Sequence, residues 1–231
     1  MKNFLGAFIF SALLFSCPSD DNSGGGGNGG GLPAPSATYR VTFDANFTDQ
    51  THPQDYPMDA GFVKMFIVAH DANTRLFGIN QIASAGFEAY VEDGETTELV
   101  NELTPQFDSD PPTVIVMGND IGPTGTDIKE ITVTPSTTLI SVVIKIDPSP
   151  DWFVGVDAFD IVNPDNTLVE LQGFQLLPID AGTDAGTMYT SDDMDDNAPI
   201  LLINGYPFVD DSGPGPGITN RLGTLSFERI D

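Results

Sequence analysis

The sequence predicts an all-β fold, an antiparallel sandwich of about eight strands joined by long loops. From Thr38 onward, short runs of β-branched and aromatic residues alternate with Gly, Pro, Asn and Asp, a pattern typical of strands separated by turns. No long segment carries an apolar stripe at the 3.6-residue period of an amphipathic helix. The residues after position 37 are numerous enough to form one hydrophobic core, so a single folded domain is expected over 38–231.

The strand pattern begins at residue 39 and continues almost to the last residue. The predicted strands are 39–45, 65–70, 113–117, 128–134, 139–146, 152–161, 168–175 and 222–229. Helical character is plausible only at 83–91 and 96–103, where the acidic residues could equally decorate a loop. Six apolar residues of two central strands are expected in the core, namely Leu139, Val142, Ile144, Phe153, Val154 and Val156.

Residues 1–16 are typical of a signal peptide, because one early lysine precedes an apolar run too short to span a bilayer. The run ends in Leu14-Phe15-Ser16-Cys17, which resembles a bacterial lipobox. Lipidation of Cys17 would account for the only cysteine, which has no disulfide partner. An ordinary secretory signal with an incidental cysteine is the alternative. The lipobox resemblance implies a lipid anchor at Cys17 in the bacterial outer membrane.

Residues 17–37 are rich in Gly and lack apolar periodicity, so they are predicted to be a flexible tether. Asp20 and Asp21 follow Cys17 closely, as in the surface-export signals of some Gram-negative lipoproteins. The expected location is therefore the bacterial outer membrane, lipid-anchored and surface-exposed.

The chain is strongly acidic, with 34 Asp and Glu against 8 Lys and Arg and a formal net charge of −26. Nucleic acid is excluded as an expected partner, because binding to phosphates needs clustered basic side chains. An anionic membrane surface would also repel the chain. Such acidity suits saline, calcium-containing surroundings, although a simple gain in solubility would explain it equally well.

Sequence motifs for catalysis are absent. His52 and His70 are the only histidines, and neither lies in a zinc-binding pattern. The chain has no Gly-x-Ser-x-Gly nucleophile elbow and no phosphate-binding loop with its lysine. The sequence therefore predicts a protein that is not an enzyme.

Three aspartates on two turns are the candidate metal ligands. Asp180 and Asp184 bracket a Gly-Thr turn, while Asp151 follows a Pro-Ser-Pro segment and precedes a run that is typical of a buried strand. Three converging carboxylates would repel one another, and a Ca²⁺ ion, which prefers oxygen ligands, would remove that repulsion. The alternative is that these aspartates only cap turns and face solvent.

The same two segments resemble the spondin N-terminal domain family, a family of extracellular adhesion modules. The resemblance rests on Pro-Ser-Pro-Asp-Trp-Phe-Val-Gly at 148–155 and Asp-Ala-Gly-Thr-Asp at 180–184. Weaker similarity runs from Tyr39 to the C-terminus, with short matching pieces at 52–57 and 221–229 in the order of the family. The resemblance implies a C2-like antiparallel β-sandwich with metal loops at one end.

The resemblance also implies that one Ca²⁺ is held by Asp151, Asp180 and Asp184. Some members add a glutamate from the strand before the proline-rich turn, but Thr132 stands at that position, and Glu130 would replace it only if the strand were displaced. Trp152 is expected to pack beside the metal turn and fix its geometry.

The expected function is that of a calcium-binding surface lipoprotein with a spondin-like adhesion module, whose partner is an extracellular glycan or protein. A polysaccharide-handling accessory protein or enzyme is the alternative, and it would need a deep apolar cleft with converging carboxylates away from the metal turns. A third possibility is a structural envelope component without a soluble partner.

Overall fold

The computed structural model describes residues 36–104, 114–208 and 220–231. These residues form an antiparallel β-sandwich, which confirms the predicted fold class. The expectations for the signal peptide, for lipidation at Cys17 and for residues 17–35 of the Gly-rich tether lie outside the described residues. The predicted end of the tether at residue 37 is wrong, because Ala37 is buried and begins the first strand. None of the helices in the described part of the chain is long and apolar enough to cross a bilayer.

The described residues form eleven strands and two helices. The strands are β1 (Ala37–Ala45), β2 (Gly61–Phe62), β3 (Phe66–His70), β4 (Val114–Met117), β5 (Thr126–Val133), β6 (Leu139–Asp147), β7 (Trp152–Asp160), β8 (Leu171–Leu176), β9 (Ile179–Asp180), β10 (Leu201–Leu202) and β11 (Gly223–Arg229). The helices, α1 (Ala85–Asp93) and α2 (Thr97–Leu103), lie between β3 and β4 in the chain.

The strands pair into two antiparallel sheets. The smaller sheet has four strands in the order β5-β1-β11-β8. The larger sheet has the order β10-β9-β7-β6-β3-β4, with β2 pairing to β6. Pairing of β9 with β7 brings the two predicted metal turns to one end of the larger sheet.

The eight strands of four or more residues match the eight predicted strands, with ends that differ by no more than three residues. The three two-residue strands β2, β9 and β10 were not predicted, because such short segments have no periodicity to detect. The two segments in which helix and loop were both left open, 83–91 and 96–103, form helices. Helix α1 begins after Ser84, whose hydroxyl accepts the Phe87 N–H, and ends at Gly94, whose φ of 73° is left-handed.

Two apolar clusters stabilise the domain. The first contains inward residues of both sheets, among them Val41, Phe43 and Phe227. The second joins the larger sheet to the helices and contains Phe66, Phe77, Phe87, Tyr90 and Phe153. Among the predicted core residues Val142, Ile144, Phe153 and Val154 are fully buried, whereas Leu139 and Val156 are only half-buried.

His52 lies in the loop after β1, and its imidazole is buried rather than exposed. Its Nδ1 lies 2.9 Å from the Thr51 hydroxyl oxygen, and its Nε2 has no hydrogen-bond partner among the residues that the structure describes. Burial lowers the pKa of His52 from 6.5 to about 4. The unfolded chain therefore takes up a proton on His52 at a higher pH than the folded domain does, and stability is lost as pH falls through this interval.

We expect the wild-type domain to lose about 2 to 3 kcal/mol more stability than a His52→Asn variant as the pH is lowered from 6.5 to 4. The measurement is urea denaturation of both proteins across this range. Other titrating groups are shared by the two proteins and cancel in the difference. Parallel stability curves would show that burial does not depress the pKa of His52.

Candidate metal centre

The proline-rich turn before β7 positions Asp151. The Ser149 hydroxyl donates to the Ile146 carbonyl at 2.6 Å and accepts the Trp152 N–H at 3.1 Å, which closes the turn. The Asp151 side chain is completely buried. Because Trp152 is paired with Asp180 across β7 and β9, Asp151 lies one residue from the register position of Asp180.

The second turn folds onto Asp151. Oδ2 of Asp151 accepts the backbone N–H groups of Thr183 at 2.8 Å and Asp184 at 3.2 Å. Gly182 makes this turn possible, because its φ is 71° and a Cβ there would lie 2.3 Å from the Ala198 carbonyl oxygen. The structure therefore brings together the two turns that carry the three predicted ligands.

Asp180 and Asp184 each accept one hydrogen bond from the backbone of the same turn. Oδ1 of Asp180 accepts the Gly182 N–H at 2.8 Å, and Oδ1 of Asp184 accepts the Gly186 N–H at 2.6 Å. Both bonds use only one oxygen of the carboxylate. The other oxygen remains outside these turn hydrogen bonds.

Burial and mutual repulsion disfavour the ionised forms of the carboxylates at this site and raise their pKa values. Burial raises the pKa of Asp151 to about 6, and the charge of Asp180 adds to the effect. Burial also raises the pKa of Asp180, with contributions from Asp196 and Asp184. The backbone N–H groups act in the opposite direction but do not cancel these shifts. A cation at this position would favour the charged carboxylates.

Two further carboxylates approach the site, and the sequence did not indicate either. Asp196 lines an open cavity of about 260 Å³ together with Asp180 and Asp184. Glu92 of α1 bonds to the side chain of Thr183, and the charge of Asp184 helps to raise its pKa, although burial is the main cause. Glu92 reaches the turns from helix α1, far away in the chain, whereas Asp196 lies beside them because Asp195 bridges to Asp184 and the Asp196 N–H donates to the Thr183 carbonyl.

Lys145 of β6 provides a positive charge beside the site. Its side chain is 3% exposed, and its ammonium donates to the Ser149 carbonyl at 3.2 Å. Burial lowers the pKa of Lys145. Four nearby carboxylates oppose this shift, namely Asp147, Asp151, Asp93 and Glu92. The fold thus places an ammonium group under the proline-rich turn.

The carboxylate oxygens, and one of them in particular that lacks a hydrogen bond, make the site suitable for a hard cation. Oδ1 of Asp151 is buried and has no hydrogen-bond partner within residues 36–104, 114–208 and 220–231. As the side chains stand, the described residues contain no group of three or more His, Cys, Asp or Glu arranged to hold a metal ion. The fit to Ca²⁺ therefore rests on the unpartnered Asp151 oxygen and on the all-oxygen donor set.

The other residues considered for the site have different surroundings. Glu130 of β5 pairs with Arg40 at 3.9 Å, and Thr132 is exposed on the same strand. Trp152 is 2% exposed and packs its ring at 5.3 Å from both Tyr189 and Phe208. The large aromatic ring therefore lies in the core beside the turn.

His70, the second histidine, is a buried residue at the end of β3. Its Nδ1 donates to the Asp71 carbonyl at 2.8 Å, and its Nε2 accepts from the Ser141 hydroxyl at 2.8 Å. Both ring nitrogens are satisfied by neighbours in the fold. This bonding is that of a structural histidine.

Comparison with known proteins supports the family resemblance. The family model Spondin_N matches residues 37–203. Human Spondin-2 is 32% identical over 160 residues, which cover 67% of this chain and 48% of the human protein. Rat Spondin-1 is 31% identical over 210 residues, which cover 84% of this chain and 25% of the rat protein. The chain thus matches about half of the length of Spondin-2 and about a quarter of Spondin-1, and it belongs to the spondin N-terminal domain family.

Proposed function

We propose that this chain is a calcium-binding lipoprotein of the bacterial cell surface, whose spondin-like domain presents a non-catalytic binding surface to an external partner. The observation that carries the calcium site is the buried, unpartnered Oδ1 of Asp151. It lies where the second turn, with Asp180 and Asp184, folds onto the first. Lipidation of Cys17 would anchor the domain, with the Gly-rich residues between Cys17 and β1 as its tether.

Asp151, Asp180 and Asp184 would hold the ion. A bound Ca²⁺ supplies two positive charges that offset the repulsion among these carboxylates. Strands β7 and β9 hold Asp151 and Asp180 in adjacent positions, and the Thr183 and Asp184 N–H groups hold the second turn against the first. Extracellular calcium modules bind with dissociation constants of about 10⁻⁴ to 10⁻³ M, and we expect this range here.

The binding role is supported by family membership and by the surroundings of the two histidines. His70 is satisfied within the fold, and His52 is buried in an aromatic environment between Phe47 and Phe208. The external partner is proposed to be a protein or glycan. The large negative net charge argues against nucleic acid.

Calcium is expected to raise the melting temperature of the wild-type domain. At about 10 mM calcium, which is about ten to one hundred times the expected dissociation constant, binding to the folded state contributes about 1.4 to 2.7 kcal/mol. The measurement compares thermal unfolding in EDTA with unfolding at that calcium concentration. An Asp180→Asn/Asp184→Asn variant should remain folded and lose this response.

The control is an Asp192→Asn/Glu98→Gln variant, which removes the same charge from exposed positions of the described surface. It should keep the full calcium response. Identical melting temperatures of the wild-type domain in EDTA and in calcium would contradict the proposed metal site. If both double variants lost the same part of the calcium-induced rise in melting temperature, calcium would be acting on the general surface charge.

A further inference from the structure

A second cavity lies beside the aspartate turns, and its lining residues differ from those of the cavity at Asp180, Asp184 and Asp196. It has a volume of about 350 Å³, and it is formed by the loop after β1 and by the segment that follows Gly186. The lining side chains include two carboxylates, two thioethers and a phenol, those of Asp55, Asp59, Met58, Met188 and Tyr189. The combination of acidic and flexible apolar groups suggests a ligand that is both cationic and aliphatic.

The thioethers are unusually accessible. Met58 is 102% exposed and Met188 is 51% exposed, so neither side chain fills the core. Methionine is flexible and polarisable, and it is often used at surfaces that adapt to a partner. These two side chains give the cavity an apolar wall that an aliphatic stem can contact.

The carboxylates lack basic partners. Neither Asp55 nor Asp59 takes part in any of the ion pairs formed within residues 36–104, 114–208 and 220–231. Asp55 accepts a hydrogen bond from the Tyr206 hydroxyl, and Lys and Arg are absent from the lining residues of the cavity. Two negative charges at an apolar wall are complementary to an ammonium or guanidinium group.

Unpartnered polar atoms collect in the same corner of the domain. Tyr189 is 4% exposed, and its hydroxyl has no hydrogen-bond partner among the described residues. Burial raises the pKa of Tyr189, and the charge of Asp55 adds to this shift. Nε2 of His52 and Oε1 of Gln54 are also buried without partners in the described part of the chain. The ring of Phe47 packs against both His52 and Tyr189. Buried polar groups are normally satisfied, so these atoms mark a corner of the domain whose hydrogen bonds are not completed by the described residues.

We infer that this cavity receives the side chain of a lysine or arginine of a partner protein. The aliphatic stem would lie against Met58 and Met188, and the charged end would meet Asp55 and Asp59. A glycan fits less well, because the rings of Tyr189 and Trp152 are 4% and 2% exposed and present no open face for a sugar. The inference rests on the proposed binding role of the domain but not on its calcium site.

The test uses the ¹³C-labelled methionine methyl groups as reporters. The probe is a blocked Gly-Gly-Lys-Gly-Gly peptide, and its matched control carries Nε-acetyl-lysine, which lacks the charge. We expect the lysine peptide to shift the Met58 and Met188 signals in a saturable manner, with an arginine peptide doing the same. The exposed Met117 and Met194 should stay unchanged.

An Asp55→Asn/Asp59→Asn variant should bind the lysine peptide about tenfold more weakly, since two charge pairs are lost. The Asp192→Asn/Glu98→Gln variant has the same net charge and should bind like the wild type. Equal weakening in both variants, equal shifts at all four methyl groups, or equal binding of the acetylated peptide would overturn the inference.

The peptide titration is run both in EDTA and in calcium. If the domain responded to calcium but did not bind the peptide, only this inference would be contradicted. If it bound the peptide but did not respond to calcium, only the proposed metal site would be contradicted.

Discussion

Replacement of Lys145 by methionine is expected to lower the free energy of unfolding of the calcium-free domain by about 1.5 to 3 kcal/mol, the range for a hydrogen bond from a charged donor. The ammonium group is buried among the charges of Asp147, Asp151, Asp93 and Glu92. Methionine fills a similar volume but leaves these carboxylates without a buried positive charge. The substitution also removes the hydrogen bond to the Ser149 carbonyl, which lies in the turn that carries Asp151. Urea denaturation in EDTA measures the loss.

Lys64→Met is the matched control, because Lys64 is half-buried and its hydrogen bonds with Asp120 and Tyr90 use only its backbone atoms. It should change stability by less than about 1 kcal/mol. In saturating calcium the deficit of Lys145→Met should shrink, because the proposed ion places positive charge beside the same carboxylates. The variant should also bind calcium more tightly than the wild type. A deficit of the same size in calcium and in EDTA would mean that Lys145 acts only through packing.

Replacement of Phe153 by alanine is expected to cost about 3 to 5 kcal/mol, the range for deleting a fully buried aromatic side chain. Phe153 is 0% exposed, and its ring meets Phe77 at 5.1 Å and Phe87 at 5.2 Å in edge-to-face contacts. Its backbone also pairs with Ile179 of β9, the strand that carries Asp180. The cavity left by alanine would therefore loosen helix α1 and the metal turns together.

The measurement is chemical denaturation in EDTA, followed by calcium titration of the folded variant. Phe159→Ala is the control on the same strand, because Phe159 is only half-buried and packs instead on Phe174 and Phe227. We expect it to cost about 1 to 2 kcal/mol and to leave calcium binding unchanged. Equal losses in the two variants would contradict the assignment of Phe153 to the cluster that supports the site.

The strands were predictable because their burial follows the local sequence. In β1 the side chains of Ala37, Tyr39, Val41 and Phe43 are buried and alternate with less buried residues, which is the two-residue period of a strand. The turn that holds Asp151 and the turn that holds Asp180 and Asp184 are also short continuous segments. Their Pro, Gly and Asp residues indicate their geometry without knowledge of the rest of the fold.

The sequence by itself determined the sandwich class, the eight longer strands and the two aspartate turns, because each depends on residues that are neighbours in the chain. Only the tertiary structure placed Glu92, Asp196 and Lys145 around those turns and left the Asp151 Oδ1 without a partner. It also joined Asp55 and Met188 in one cavity. Glu92, Asp55 and Met188 come from segments far from their neighbours in sequence, whereas Lys145 and Asp196 are nearer in the chain but belong to an adjacent strand and loop. The charges and unmet hydrogen bonds of all these groups arise only when the sheets and helices pack and exclude water.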